Sequence, residues 1–247
     1  MNDILAVMAE KMEYVGVLLP VLLEGFWVTV KLFIWTLALS LPLGLPFALG
    51  SISGIGIIRF ISKLYIWVFR GTPLMLQLFF FYFYIPIGTG VAFTAFTTAV
   101  LTFVLNYAAY FAEIYRGGIE SIDKGQYEAA QSLGLSKNQT MFGIILPQTV
   151  KRILPAISNE AIVLVKDTAL AFSISVAELL KAANGAMNRD LDPTAYIIAA
   201  GLYLIVTFVL TVITGKLEER YGRHEAKNTV VKKSFWKKIM GKEAASV

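Results

Sequence analysis

Five apolar runs, each close to the length needed to cross a bilayer as a helix, fall at roughly 26–50, 72–92, 94–115, 148–168 and 194–215. Gly, Pro or charge clusters separate them. In hydrocarbon every backbone amide must find its partner within its own segment, so such runs predict helices. Composition agrees: 57% of residues are hydrophobic and 16% charged, against about 25% charged in a soluble domain. Too little polar surface remains to solvate a globule. The expected fold is an all-α polytopic membrane protein of about five spans. Pro42 and Pro46 predict kinks in the first.

Orientation follows from Lys and Arg, because cytoplasmic connections carry the excess. Segments 51–70 and 116–152 and the tail from 215 together hold 17 of them, whereas the N-terminal stretch and segments 84–93 and 169–193 hold only Lys11, Lys181 and Arg189. The N-terminus is therefore expected outside, with the 116–147 loop and the C-terminus inside. The chain start, MNDILAVMAEKMEY, lacks the basic and apolar regions of a cleaved signal peptide and is expected to belong to the mature protein. The transmembrane part is expected to occupy 1–222, followed by a basic tail at 223–247. There, Lys pairs alternate with apolar residues, which suits either a segment lying on an anionic inner leaflet or a solvated tail that enforces topology.

Several chemistries are excluded. The chain has no cysteine, and His224, in the charged tail, is its single histidine, so thiolate and multi-histidine metal sites are unavailable. No metal site or catalytic residue is expected. GxSxG and HExxH arrangements are missing, as is the GxxxxGK[ST] loop that cradles nucleotide phosphates, so any ATP must act through a partner.

The longest polar connection, at 119–147, reads IESIDKGQYEAAQSLGLSKNQTMFGIILP. Asp123 with Gln126 has the spacing of an N-cap and its reciprocal partner, opening a helix that runs to about Leu133. Gly134 permits a left-handed reversal, and Ser136 with Gln139 caps a second helix. Spacing alone leaves two readings, a rigid projection that couples a soluble partner to the membrane helices or a well-capped linker.

Glu128-Ala129-Ala130, Gly134, Ile144 and Leu146-Pro147 fit EAA-x3-G-x9-I-x-LP at every spacing. On this signature the chain resembles the permeases of ABC importers. Arg70-Gly71-Thr72-Pro73 with Gln77, AEIYRGGIESI at 112–122, LPQTVKRILPAISNE at 146–160 and Lys166-Asp167-Thr168 are similar to the branch serving polar amino acids of the histidine, glutamine, arginine and cystine type. The resemblance covers about 15–220; relatives often have Pro where this chain has Asp123. It implies a MetI-like type I permease fold with five helices in a bacterial inner or plasma membrane. It further implies a second permease copy, identical or different, a pair of ATPase subunits that bind ATP and Mg, and an external substrate-binding protein. No cofactor would be held by this chain, and no nucleic acid is expected among its partners. The loop would dock in a groove of the ATPase, with Glu128 near the contact.

Ionisable groups at membrane depth are costly and usually face a cavity or a partner. A free amino acid presents a carboxylate and an ammonium, so its site needs groups of both signs. Lys166, Asp167 and Thr168 are the first candidates for the substrate path, because ALAFSIS after them has weak helical drive and transporter sites often use unwound backbone. Glu160, Asn159, Gln77, Asn106 and Glu113 follow, on polar stripes at helical spacing. Several acids against one cation would favour a ligand with extra positive charge. These residues suit equally a structural ion-pair network, for instance Lys166 with Glu113. An ion-gradient-driven secondary transporter using Glu113, Glu160 and Asp167 is the alternative function, though no internal inverted repeat is visible.

Overall fold

The computed structural model describes residues 2–222, and side chains from 10 to 221. The basic tail, with the two readings placed on it, lies outside the described residues. Among those residues all regular structure is helical. α1 (Asn2–Ser51) is followed by α2 (Gly56–Gly71), α3 (Leu74–Phe79), a π-helical turn (Phe80–Tyr84) and α4 (Ile85–Thr89). Next come α5 (Ala95–Glu120), α6 (Lys124–Ser132), α7 (Lys137–Thr140) and a second π turn (Met141–Ile145). α8 (Leu146–Asp167), a 3-10 segment (Thr168–Ile174), α9 (Leu179–Asp190) and α10 (Thr194–Gly222) complete the chain.

α1, α5 and α10 are long and apolar enough to cross a membrane, and α2 with the helix Leu74–Thr89 forms a further candidate bent by 104°. α8 is long enough at about 33 Å, but composition does not qualify it, because it carries Lys151, Arg152, Glu160, Lys166 and Asp167. It is the polar-lined helix of the set.

Three expectations need correction. The first helix begins at Asn2, not near 26, and runs 50 residues through Pro20, Pro42 and Pro46 without a break in helix. α2 was not anticipated, since its apolar residues are interrupted by Arg59 and Lys63 and its 16 residues are too few to span alone. α9 replaces the expected outer connection; its carboxylate cap, Glu178, is wholly buried and accepts from the amides of Leu180 (2.8 Å) and Lys181 (2.7 Å) and from the Tyr203 hydroxyl (3.0 Å).

α5 is the hub. Phe103, Tyr107 and Phe111 pack with Leu32 and Phe33 of α1, Leu78 of α3, Leu164 and Val165 of α8, and Ile174 of the 3-10 segment. Between membrane helices the packing force is close contact, which small residues permit. Gly44 meets α5 so tightly that an added Cβ would lie 3.0 Å from the Ala108 carbonyl oxygen and 3.0 Å from Cβ of Phe111. Where α1 begins, its flank packs on α9 through Leu18, Leu22, Leu179 and Ala183. Lys11 there pairs with Asp192, and the Tyr14 hydroxyl donates to Asp190 (2.7 Å). Hydrogen bonds from Arg189 and Tyr14 hold the Asp190 carboxyl down to about 2, and those from Lys11 and Thr194 do the same for Asp192. At its other end α1 packs, through Leu49, against a cluster that includes Tyr127 of α6 and Met141 and Ile145 of the second π turn.

Candidate functional site

The α6–α7 unit is built largely from local chemistry. Asp123 caps α6 by accepting from the Gly125 amide (2.7 Å), but the expected reciprocal bond from Gln126 is not made: its Oε1 accepts instead from Gln148 Nε2 of α8 (3.1 Å). α6 closes in a Schellman motif, with Leu135 N–H on the Ala130 carbonyl (3.1 Å), Gly134 N–H on that of Gln131 (2.9 Å) and Gly134 at φ +73°. Ser136 and Gln139 form the complete capping box of α7. Ile119, Ile122, Tyr127, Ile144, Ile145 and Leu146 bury together against Leu49 and Ile52 at the end of α1, and burial pushes the Tyr127 phenol up. Ala130 is buried, whereas Glu128, Ala129, Gly134 and Pro147 are exposed, as are Leu133 (77% exposed) and Phe142 (61%). The unit is therefore a rigid ledge with a partly apolar outer face.

The second constellation lies between the long helices. Pro73 holds Thr72 in an extended conformation (ψ 143°), ending α2 and producing the bend. The carbonyls freed there are taken up by two buried amides: Gln77 Nε2 reaches the Phe69 (2.9 Å) and Thr72 (3.1 Å) oxygens, and Asn106 Nδ2 reaches Phe69 O and Gln77 Oε1, each at 3.0 Å. The elbow carries Arg70 against α5 and α8. Arg70, Asn106, Tyr107, Tyr110, Glu160 and Asp167 thus line one cavity of about 450 Å³, with Gly71 to Leu74 and Val163 completing its wall. Across it the Tyr107 hydroxyl donates to Asp167 Oδ2 (2.7 Å), while the Arg70 guanidinium stacks 5.3 Å above the Tyr110 ring.

Of the residues named from sequence, Asp167, Glu160 and Asn106 meet in this cavity. The others are placed elsewhere. Lys166 is exposed beside it, Asn159 is exposed on α8, and Thr168 is buried with its hydroxyl donating to Val165 O (2.6 Å). Gln77 stands behind the elbow as a brace. Glu113 pairs with Arg116 and lies 3.9 Å from Arg70, so the suggested pair with Lys166 is not formed. The cavity stripe on α8 is Glu160–Val163–Asp167. Sequence reasoning missed Arg70 and Tyr107 as site residues; the signal for Arg70 was its place before Pro73, a forced turn. The helix does stop after Asp167, passing into the 3-10 segment as the weak helical drive of ALAFSIS suggested.

The brace gives a direct expectation. Gln77→Leu leaves the Phe69 carbonyl to Asn106 alone and takes the donor from the Thr72 carbonyl, at about 1–3 kcal/mol for the lost bond, so thermal unfolding of the purified permease should fall by about 4–8 °C. Unchanged unfolding would show that water replaces the amide at the elbow.

Helices too apolar for water, a two-signed cavity between them and a rigid ledge at one end define a membrane subunit of a transport machine. The chain belongs to the family described as binding-protein-dependent transport system inner membrane component, whose model matches residues 17–223. It is similar to the L-cystine transport system permease protein TcyB of Bacillus subtilis (strain 168), 39% identical over 210 residues, 84% of this chain and 89% of that protein. The arginine transport system permease protein ArtQ of the same strain is 40% identical over 205 residues, 82% of this chain and 92% of that one. Among solved structures, a chain of an amino acid ABC transporter crystallised with histidines superposes with TM-score 0.78 at 35% identity, covering 86% of this chain and 97% of its own. The MetNI methionine transporter in an inward-facing form, at TM-score 0.64 and 16% identity over 86% of this chain and 98% of its own, shares the fold. The protein is thus a multi-pass inner-membrane permease with a MetI-like fold. Systems of this family combine such a component with a substrate-binding protein, ATP-hydrolysing subunits and a second permease.

Proposed function

We propose that this chain is the permease subunit of an ATP-driven importer of a polar amino acid. The carrying observation is the convergence of Arg70 with Glu160 and Asp167 around one cavity, which supplies a cation for a substrate carboxylate and anions for an ammonium. Its volume, about 450 Å³, falls among small-molecule sites. Two carboxylates against Arg70 favour a substrate with a second positive charge.

In this reading residues 1–222 form the transmembrane permease domain and 223–247 a basic cytoplasmic tail, with the N-terminus outside. The ledge at 119–147 lies in the cytoplasm, where Glu128, Ala129, the turn at Gly134 and the exposed Pro147 meet a groove of the ATPase, while the buried Ala130 and the packed Ile144 and Leu146 hold the ledge in place. ATP and Mg are held by that partner, and two permease chains enclose the path. The exposed apolar residues Leu133 and Phe142 support a docking face.

The test is reconstitution with an ATPase pair and a binding protein in vesicles, measuring uptake of a panel of labelled amino acids. Uptake should require ATP on the ledge side and survive collapse of ion gradients by ionophores. Uptake that follows an imposed ion gradient without ATP would support the secondary-transporter reading instead.

A further inference from the structure

A larger cavity, about 840 Å³, opens at the ledge end of the bundle, lined by α2, the end of α1 and the end of α5. Arg59, Lys63, Arg70 and Arg116 face it, opposed by Glu113 and Glu120. Arg116 pairs with both carboxylates, and Arg70 lies between Glu113 and the Tyr110 ring. The side chains of Arg59 and Lys63 form no hydrogen bond or ion pair among the described residues, so two positive charges are left over.

The same helix carries an apolar surface that none of the other described residues covers. α2 buries only Ser62 and Ile66, and Ile57, Phe60, Ile61 and Leu64 are exposed, with Trp67 exposed at the cavity wall. The cavity's depth is set by its neighbours. Ser51 and Ile52 close α1 and Glu120 closes α5, and Ile52 belongs to the core of the ledge, so the cavity lies where the long helices end. Surplus basic charge at that level, beside exposed apolar residues on one amphipathic helix, matches a molecule with an anionic head and hydrocarbon tails.

We propose that this cavity is a binding site for an anionic phospholipid, with the phosphodiester seated on Arg59 and Lys63 and the acyl chains lying along the exposed apolar residues of α2. The inference requires only that the chain is embedded in a membrane, and is independent of which solute it carries. The lipid would fill the angle between α2 and the ends of α1 and α5, beside Arg70, and so stiffen the elbow that forms the smaller cavity.

The test compares the assembled wild-type transporter with an R59Q/K63Q variant. Both are extracted from vesicles of mixed phosphatidylglycerol and phosphatidylcholine, and retained lipid is measured by mass spectrometry. The variant should retain roughly thirtyfold less phosphatidylglycerol, about fivefold for each basic side chain, with equal phosphatidylcholine. Both proteins keep the basic tail, so the tail cannot produce the difference, and equal uptake in pure phosphatidylcholine confirms that the variant is folded. Equal phosphatidylglycerol retention would overturn the proposal. So would full displacement by inorganic phosphate, which would identify a site for the free ion. Displacement by the transported amino acid would likewise overturn it, placing the cavity on the solute's route.

Discussion

Asp167→Asn is expected to weaken solute affinity by roughly 10- to 100-fold, the effect of losing about 1.5–3 kcal/mol of charge-assisted hydrogen bonding. The measurement is concentration-dependent uptake by the reconstituted transporter at matched membrane abundance. Asp167 contributes a carboxylate to the smaller cavity, held by the Tyr107 hydroxyl, and its position at the last residue of α8 leaves the following backbone free to turn away. Substituting Asn keeps the shape and removes the charge, so the loss should fall on affinity more than on maximal rate. Glu160→Gln should act in the same direction. Lys166→Met serves as the comparison: its side chain is exposed outside the cavity lining, and uptake should be nearly unchanged. If Lys166→Met lowered affinity while Asp167→Asn did not, the cavity would be the wrong site.

Gly134→Pro should separate the permease from its ATPase. The native φ of +73° is out of reach for proline, whose ring fixes φ near −65°, and the substitution also deletes the N–H that bonds the Gln131 carbonyl. The ledge then loses its reversal while the long helices, which do not depend on it, remain packed. Co-purification of the ATPase is expected to fall at least about tenfold, a loss of about 1.4 kcal/mol or more in docking. Glu128→Arg, which leaves the fold of the ledge intact and reverses one exposed charge, should weaken docking without disturbing solute binding. Asp167→Asn should show the opposite pattern, with a full complement of ATPase and weakened solute affinity. Undiminished ATPase capture by both ledge variants would remove the docking role from 119–147.

The contrast between these two regions shows what could be read from the chain. In the ledge the determinants are neighbours: Ser136 and Gln139 three apart, and Gly134 one residue beyond a C-cap. Spacing was sufficient for these, and only the Asp123–Gln126 reciprocity failed, because Gln148 from another helix competes for the Gln126 side chain. In the cavity the determinants are distant. Glu160 and Asp167 share a stripe and were legible as polar positions on one helix, but Arg70 joins them only through the bend at Pro73. Gln77 and Asn106 illustrate a separate limit. A polar side chain in an apolar run satisfies the same pattern whether it faces a solute or a freed backbone carbonyl, and here both amides serve the carbonyls of the elbow. α2 and α9 escaped notice because neither is an uninterrupted apolar run of spanning length.

The 50-residue α1 runs about 75 Å as one helix and is held at both ends, by α9 and Asp192 where it begins and by the ledge core where it finishes. Pro20, Pro42 and Pro46 each remove one backbone hydrogen bond along it, yet the helix is continuous between the two attachments. Its tight seam with α5 at Gly44 acts as a fulcrum partway along. A partner that pushed on the ledge would thus act on the same continuous helix that carries the α9 face at its other end.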